Sequence, residues 1–294
     1  MAEPTADPDR FPGSQPLLSV SGLSMSFADP AGAWWHRRTR RRTVLHDVAF
    51  ELAAGECLGV VGESGSGKTT LGRCLLRLNR PDAGRILFDG QDLLACDERA
   101  MRPLRARMQM IFQDPLSSLN PRRRVRDIVL QPLLSFGRVA GLDTNAGRRE
   151  RAARLLERVA LPPELQSRFP GQLSGGQRQR VGIARAIALE PDLIVADEIV
   201  SGLDVSTQAR ILLLLRHLQA ELGLSLVFIT HDLSVVRVLC DRVMVMHDGA
   251  IRETGPTAEL FARPKTDYTR RLIAAIPLPD VEPGWFDEQP EESS

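Results

Sequence analysis

Tyrosine occurs once in the 294 residues, and aromatic side chains make up only 5% of the chain. An excess of charge of one sign is also missing: 38 Lys and Arg stand against 37 Asp and Glu, a formal net charge of +1. The molecule as a whole offers no field for a polyanion, so any electrostatic partner site has to be local. Only four cysteines occur, Cys57, Cys74, Cys96 and Cys240, with no CxxC or CxH spacing. That scatter argues against a metal or disulfide framework. Cys57 and Cys74 bracket an apolar strand and the helix after it, as buried thiols do in a reducing compartment. Long apolar runs are lacking too. The longest, 211–215 and 225–229, are far too short to cross a bilayer. Residues 1–15 have no apolar segment, which excludes a secretory signal of the usual kind. If the protein works at a membrane, other chains supply the crossing, and the expected compartment is the cytoplasm.

What is present is an ordinary globular composition, 43% hydrophobic and 26% charged, long enough for one large α/β domain with a subdomain. Residues 1–16 read as a disordered leader and 277–294 as an acidic tail. Strand patterns fall at 17–27, 43–52, 57–61, 84–88, 108–112, 193–196, 224–230, 242–246 and 250–254. Asp89-Gly90 and Asp248-Gly249 mark tight hairpin turns. Helical spacing runs through 68–78, 146–159 and 207–222. From 116 to about 169 Arg, Ala and Leu dominate, which reads as a helical insertion into an α/β core. Strands separated by helices imply a largely parallel, buried sheet. The run 28–42 carries Trp34, Trp35 and a basic stretch from Arg37 to Arg42, which reads as a solvated loop able to touch lipid headgroups. Arg122, Arg123, Arg124 and Arg126 read as a solvated face, because no aromatic platform interleaves with them. No internal repeat is visible.

Three motifs carry chemistry. Gly62-Glu63-Ser64-Gly65-Ser66-Gly67-Lys68-Thr69 fits the phosphate-loop pattern GxxxxGK[ST] and sits between a strand and a helix. Its glycines, Gly62, Gly65 and Gly67, let backbone N–H groups turn inward around a phosphate at the positive end of the helix. Lys68 is placed to neutralise the β and γ oxygens and Thr69 to ligate Mg²⁺; Ser64 and Thr70 belong to the same nucleotide-binding set. In Leu193-Ile194-Val195-Ala196-Asp197-Glu198, a buried strand ends in a carboxylate, Asp197, beside the metal shell. Glu198 then stands at the strand's mouth, where it can polarise water. An acidic pair closing a strand is common in isolation, but after a phosphate loop hydrolysis is the better reading. In Leu173-Ser174-Gly175-Gly176-Gln177, Ser174 caps a helix running to about 189, and two glycines expose N–H groups at its start. That makes a second anion-binding helix end in one chain.

The pentapeptide 173–177, set between a phosphate loop and a strand ending in Asp-Glu, resembles the signature of ABC ATPases. The remaining motifs follow in family order. Gln113 in Ile111-Phe112-Gln113-Asp114-Pro115 resembles the lid glutamine that reaches Mg²⁺ and water. Ser201-Gly202-Leu203-Asp204 resembles the D-loop, and His231 the switch histidine that holds the γ-phosphate. Phe27 is the best match for the residue that stacks on adenine, with Trp34 and Trp35 as competitors. The resemblance implies an α/β phosphate-loop core with an antiparallel β-subdomain and a helical signature subdomain at about 116–175. It covers essentially 17–277, with an ATPase domain over 17–262 and a C-terminal extension and acidic tail over 263–294. It implies ATP and Mg²⁺ as cofactors, Glu198 as general base, and ATP held between the phosphate loop of one subunit and the signature of another.

Within the family, the phosphate loop, the stretch 111–121 and the tail pieces Phe261-Ala262-Arg263-Pro264 and Tyr268-Thr269-Arg270 resemble the oligopeptide, dipeptide and nickel importer branch. The inserted Trp34-Trp35 segment resembles the second of its paired ATPases. The implied partners are a homologous ATPase as heterodimer, two transmembrane permease subunits and an extracytoplasmic solute-binding protein, with no nucleic acid. The implied place is the cytoplasmic face of the membrane, and the implied cargo is peptide, with nickel or another small solute behind it. A soluble ATP-gated clamp is disfavoured by the single cassette and by the lack of a long coiled coil between Lys68 and Ser174. The chain departs from its relatives in two places: Ile199 follows Glu198 where Pro is usual, and no cysteine follows Cys240, so no iron–sulfur cluster is expected.

Overall fold

The computed structural model describes residues 15–28, 41–137 and 141–275. Trp34, Trp35 and the basic residues 37–40 lie outside the described residues, as do residues 1–14 of the expected leader and the whole acidic tail 277–294.

Two sheets organise the chain. The first is antiparallel, in the order β2-β1-β4-β5, from β1 (Leu18–Ala28), β2 (Arg41–Leu52), β4 (Ala83–Phe88) and β5 (Gln91–Asp92). Its strands alternate polar and apolar residues, so that Leu18, Val20, Leu23 and Met25 are buried while the other face stays open. The second sheet runs β10-β9-β3-β8-β7-β6 and comprises β3 (Cys57–Val61), β6 (Met108–Ile111), β7 (Leu193–Asp197), β8 (Ser225–Ile229), β9 (Arg242–His247) and β10 (Ala250–Pro256). It is parallel except at the β9–β10 hairpin. β3, β7 and β8 are buried at every residue, as continuous apolar strands must be when both faces of a parallel sheet are covered. Both hairpin turns place an Asp and then a Gly at positive φ, 49° and 74° at Asp89-Gly90 and 48° and 74° at Asp248-Gly249. Those angles match the twist of the strands they join.

One core lies between the sheets around α1 (Lys68–Leu75) and α2 (Glu98–Arg107). The other lies under the helices that follow β6. These are α3 (Pro115–Ser118), α4 (Val125–Phe136), α5 (Asn145–Glu157) and α6 (Gly175–Ile187), so among the described residues the stretch from β6 to β7 is built of helices joined by loops, with no strand. α7 (Val205–Leu222), α8 (Leu233–Leu239), α9 (Thr257–Ala262) and α10 (Asp267–Ala274) complete the chain.

Some boundaries differ from the sequence reading. The helix expected over 68–78 ends at Leu75, and Arg77 adopts φ 50°, a conformation no helix contains. α2 was not expected, because Pro103 interrupts its pattern and Arg residues crowd it. Beyond 262, where the sequence suggests an extension and tail, the chain forms α10, whose Thr269 is fully buried.

Candidate active site

β3 delivers the chain into the loop 62–69. Gly62 takes φ 152°, and a Cβ there would stand 2.1 Å from the Met246 carbonyl oxygen, so only glycine lets the loop pass under β9. Lys68 is buried and turns back into the loop, its Nζ donating to Gly62 O at 2.7 Å and Glu63 O at 2.8 Å. Burial lowers its affinity for the proton, opposed by the carboxylates of Glu198, Asp197 and Glu63. Ser66 Oγ is buried without a partner. A ring of this kind, with an orphaned hydroxyl and an ammonium drawn to its own carbonyls, fits an incoming anionic oxygen.

β7 ends in buried Asp197, whose Oδ1 accepts from Thr69 Oγ1 at 3.1 Å. Burial raises the pKa of this carboxyl, and the Thr69 hydroxyl opposes the shift. Next comes Glu198 at φ 47°, its backbone N–H given to Ile229 O on β8 at 2.8 Å. Its carboxylate accepts from Gln113 Nε2 at 2.9 Å and lies 3.6 Å from His231 Nδ1. Gln113 follows β6 by one residue beyond Phe112, and His231 follows β8 by one beyond Thr230. Three adjacent parallel strands thus deliver a glutamine, a carboxylate pair and a histidine to one edge, the carboxyl edge where α/β sheets bind ligands. The turn after Glu198 closes by Ser201 N donating to Glu198 O at 3.2 Å, and Ile199 is buried in the helical core. The residue in place of proline therefore packs inward.

Ser174 caps α6 reciprocally: its Oγ accepts from Gln177 N at 3.2 Å, and Gln177 Oε1 accepts from Ser174 N at 3.0 Å. A Cβ on Gly176 would meet Thr207 Cγ2 at 2.6 Å. Thr207 belongs to the first turn of α7, where its N–H is capped by Asp204 Oδ1 at 2.8 Å. Signature and D-loop residues therefore form one packed unit. A cleft of about 160 Å³ lined by Gln113, Gly175, Gln179, Ile199 and Ser201 lies between that unit and the lid.

Phe27 is half-exposed and pairs in register with Arg42 on β2. Two residues on, Val44 O lies 2.8 Å from where a Gly67 Cβ would be. Phe27 thus stands roughly 7 Å along the strand from the point where β2 touches the phosphate loop, a place suited to a base stacked beyond the phosphates.

Sequence reasoning passed over Ser66 and Gln179. Gln179 is buried with Nε2 unpartnered beside the cleft. Its signal was its position at i, i+4 and i+8 with Ile183 and Ile187, which places a polar side chain on the apolar stripe of α6. Ser66 gave no signal beyond its place in the loop.

Residues 45–201 match the family model described as ABC transporter. A protein of Brucella ovis named as a peptide import ATP-binding protein is 52% identical over 267 residues, covering 90% of this chain and 80% of that protein. The glutathione import ATP-binding protein GsiA of Salmonella paratyphi A is 45% identical over 278 residues, covering 95% of this chain and 44% of that protein. Among solved structures, the dimeric bacterial ABC transporter cassette MJ0796 superposes with a TM-score of 0.72 at 29% identity, over 82% of this chain and 98% of that one. Its post-hydrolysis dimer bound to ADP and Pi gives 0.71 at 29% identity, with the same coverage. With the loop, the carboxylate pair and the capped signature in place, the chain belongs to the ABC transporter family, as an ATP-hydrolysing cassette.

Proposed function

We propose that the chain is the ATPase subunit of an importer for di- and oligopeptides, working at the cytoplasmic face of the membrane. The hydrolytic half of this reading is carried by Glu198, held between Gln113 and His231. The cargo half is supported by the 52% identity with the Brucella ovis relative. Partners in this reading are a homologous ATPase, two permease subunits and an extracytoplasmic solute-binding protein. Among the described residues no helix is long and apolar enough to cross a membrane, so the crossing falls to the permeases.

The loop N–H groups and Lys68 bind the β and γ phosphates. Thr69, Asp197 and the Gln113 amide oxygen form an all-oxygen donor set that fits Mg²⁺. When bound, that ion withdraws charge from the phosphate oxygens. Glu198 takes a proton from the attacking water, Gln113 orients the Glu198 carboxylate, and His231 holds the γ-phosphate. Ser174, Gly175, Gly176 and Gln177 present the positive end of α6, with Asp204 beside it, to the triphosphate on the partner ATPase. ATP then bridges two subunits, and its hydrolysis removes the bridge.

The lid that carries Gln113 continues into α3, beside a groove of about 640 Å³ lined by Ser117, Asn120, Arg122, Arg123 and Gln131. Arg185, in the same lining, donates to Ser118 O at 2.6 Å. A permease segment seated there bears on the segment that positions Glu198's partner, which couples transport to hydrolysis. A second cargo reading, glutathione, is favoured by the 45% identity with GsiA. The test is reconstitution of the assembled transporter in proteoliposomes with its binding protein. Peptide-loaded binding protein stimulates ATPase activity and labelled dipeptide enters the vesicles. Stimulation by glutathione alone would move the cargo to the second reading, and no stimulation by any peptide would reject both.

A further inference from the structure

α10 lies outside the stretch that matches the family model, yet it touches the phosphate loop. Its Tyr268, the single tyrosine of the chain, accepts a hydrogen bond at Oη from Glu63 N at 3.4 Å. Its ring packs on that of His247, with centroids 4.2 Å apart. The helix is docked firmly. Buried Glu253 on β10 accepts from Lys265 N at 2.8 Å and, through Oε2, from Thr266 N and Thr266 Oγ1, both at 3.0 Å. Thr266 in turn caps α10 by accepting from Thr269 N at 3.1 Å.

The bond to Glu63 N acts on one particular peptide unit. The N–H of Glu63 and the C=O of Gly62 belong to the same planar group, and that carbonyl accepts from Lys68 Nζ at 2.7 Å. Tyr268 and Lys68 therefore hold opposite ends of one peptide plane. Gly62, with no Cβ, gives this plane little resistance to rotation. When Lys68 leaves the carbonyl for a phosphate oxygen, Tyr268 is the hold that remains on the other end.

We propose that Tyr268 is a positioning residue for the phosphate loop, through which the C-terminal helix sets the nucleotide affinity of the site. The proposal rests on the reading that the loop 62–69 takes the nucleotide. The contribution is that of one neutral hydrogen bond, about 2- to 10-fold in affinity.

The test is equilibrium binding of MgATP to the full-length chain, with ATPase kinetics in the assembled transporter. Tyr268→Phe keeps the ring on His247 and removes only the hydroxyl; Tyr268→Ala removes both. Tyr268→Phe raises Kd and KM by about 2- to 10-fold with kcat and melting temperature unchanged, and hydrogen exchange at the Glu63 amide accelerates. Tyr268→Ala weakens binding further. Lys68→Ala is the control for the loop itself. If Lys68→Ala loses nucleotide while Tyr268→Phe binds as the parent does, the positioning role is overturned. If Lys68→Ala binds normally, the reading of the loop falls, and the proposal with it. A drop in kcat and melting temperature with KM unchanged would mark a structural contact only, and would also overturn it.

Discussion

Replacing Glu198 with Gln separates nucleotide binding from hydrolysis, because the two depend on different properties of one side chain. Gln keeps the length of the side chain and one oxygen to accept from Gln113 Nε2, now at 2.9 Å. The backbone turn at φ 47° is anchored by the N–H bond to Ile229 O, which the substitution leaves alone. The basicity is lost. A positioned general base contributes about 10²- to 10⁴-fold, so turnover falls by about that factor, equivalent to ~3–5 kcal/mol in the barrier. Binding behaves differently. The lost carboxylate is one of the charges that steady the Lys68 ammonium, but it also faces the incoming triphosphate. Lys68 keeps Asp197 and Glu63 as negative neighbours, so removing a repulsive charge holds or raises ATP affinity. The assay is single-turnover phosphate release beside equilibrium binding of MgATP on the same preparation. Undiminished release would remove Glu198 from the base role. Binding lost in step with hydrolysis would assign Glu198 to the architecture of the site instead.

Gly176→Ala puts a methyl where Thr207 Cγ2 already stands, 2.6 Å away, at an overpacking cost of about 1–3 kcal/mol. ATPase activity falls while binding to a single subunit persists, and adding Thr207→Ser, which deletes Cγ2, restores activity; a double mutant no better than Gly176→Ala would exclude this contact as the cause. Gly62→Ala drives Cβ to 2.1 Å from the Met246 carbonyl at φ 152°, so the loop shifts and MgATP affinity drops by more than about tenfold; parental affinity by calorimetry would contradict this. The Asp204 carboxyl is held down at about 2, first by the Ser206 hydroxyl and then by the Thr207 N–H. A depressed carboxyl stabilises the fold fully above its ordinary value of 3.8 and loses that contribution as pH falls through about 2. The α7 cap is therefore insensitive to pH throughout the neutral range. A carboxyl carbon titration with its midpoint near the ordinary value of 3.8 would refute this.

The motifs legible in the sequence were those whose spacing is itself the mechanism. The phosphate loop, Asp197-Glu198 and the Ser174 cap depend on residues close together in the chain, so they could be placed before any folding was known. The strand starting at Cys57 and the turn at Asp248-Gly249 were equally readable, because an all-apolar run between polar stretches and an Asp-Gly pair each have few alternatives. The contacts at long range were not readable. Gln113 and Glu198 are 85 residues apart, and Glu63 and Tyr268 are 205 apart. Gln113 entered only through the family likeness, and the tie to Tyr268 did not enter at all. No local pattern tells that α10 packs back on the phosphate loop, because that depends on Glu253, a buried carboxylate on β10, which satisfies the backbone before the helix. α2 was hidden for a different reason: Pro103 and four arginines obscure the periodicity that Met101, Leu104 and Ala106 carry.

The central claim, an ATPase that drives membrane partners, is tested most directly by purifying tagged Glu198→Gln protein in mild detergent with MgATP and identifying what stays bound. Two multi-spanning membrane proteins, a second ATPase and a solute-binding protein whose ligand is a peptide are expected to stay with it. Recovery with nucleic acid or ribosomes and without membrane subunits would leave the ATPase standing and contradict transport.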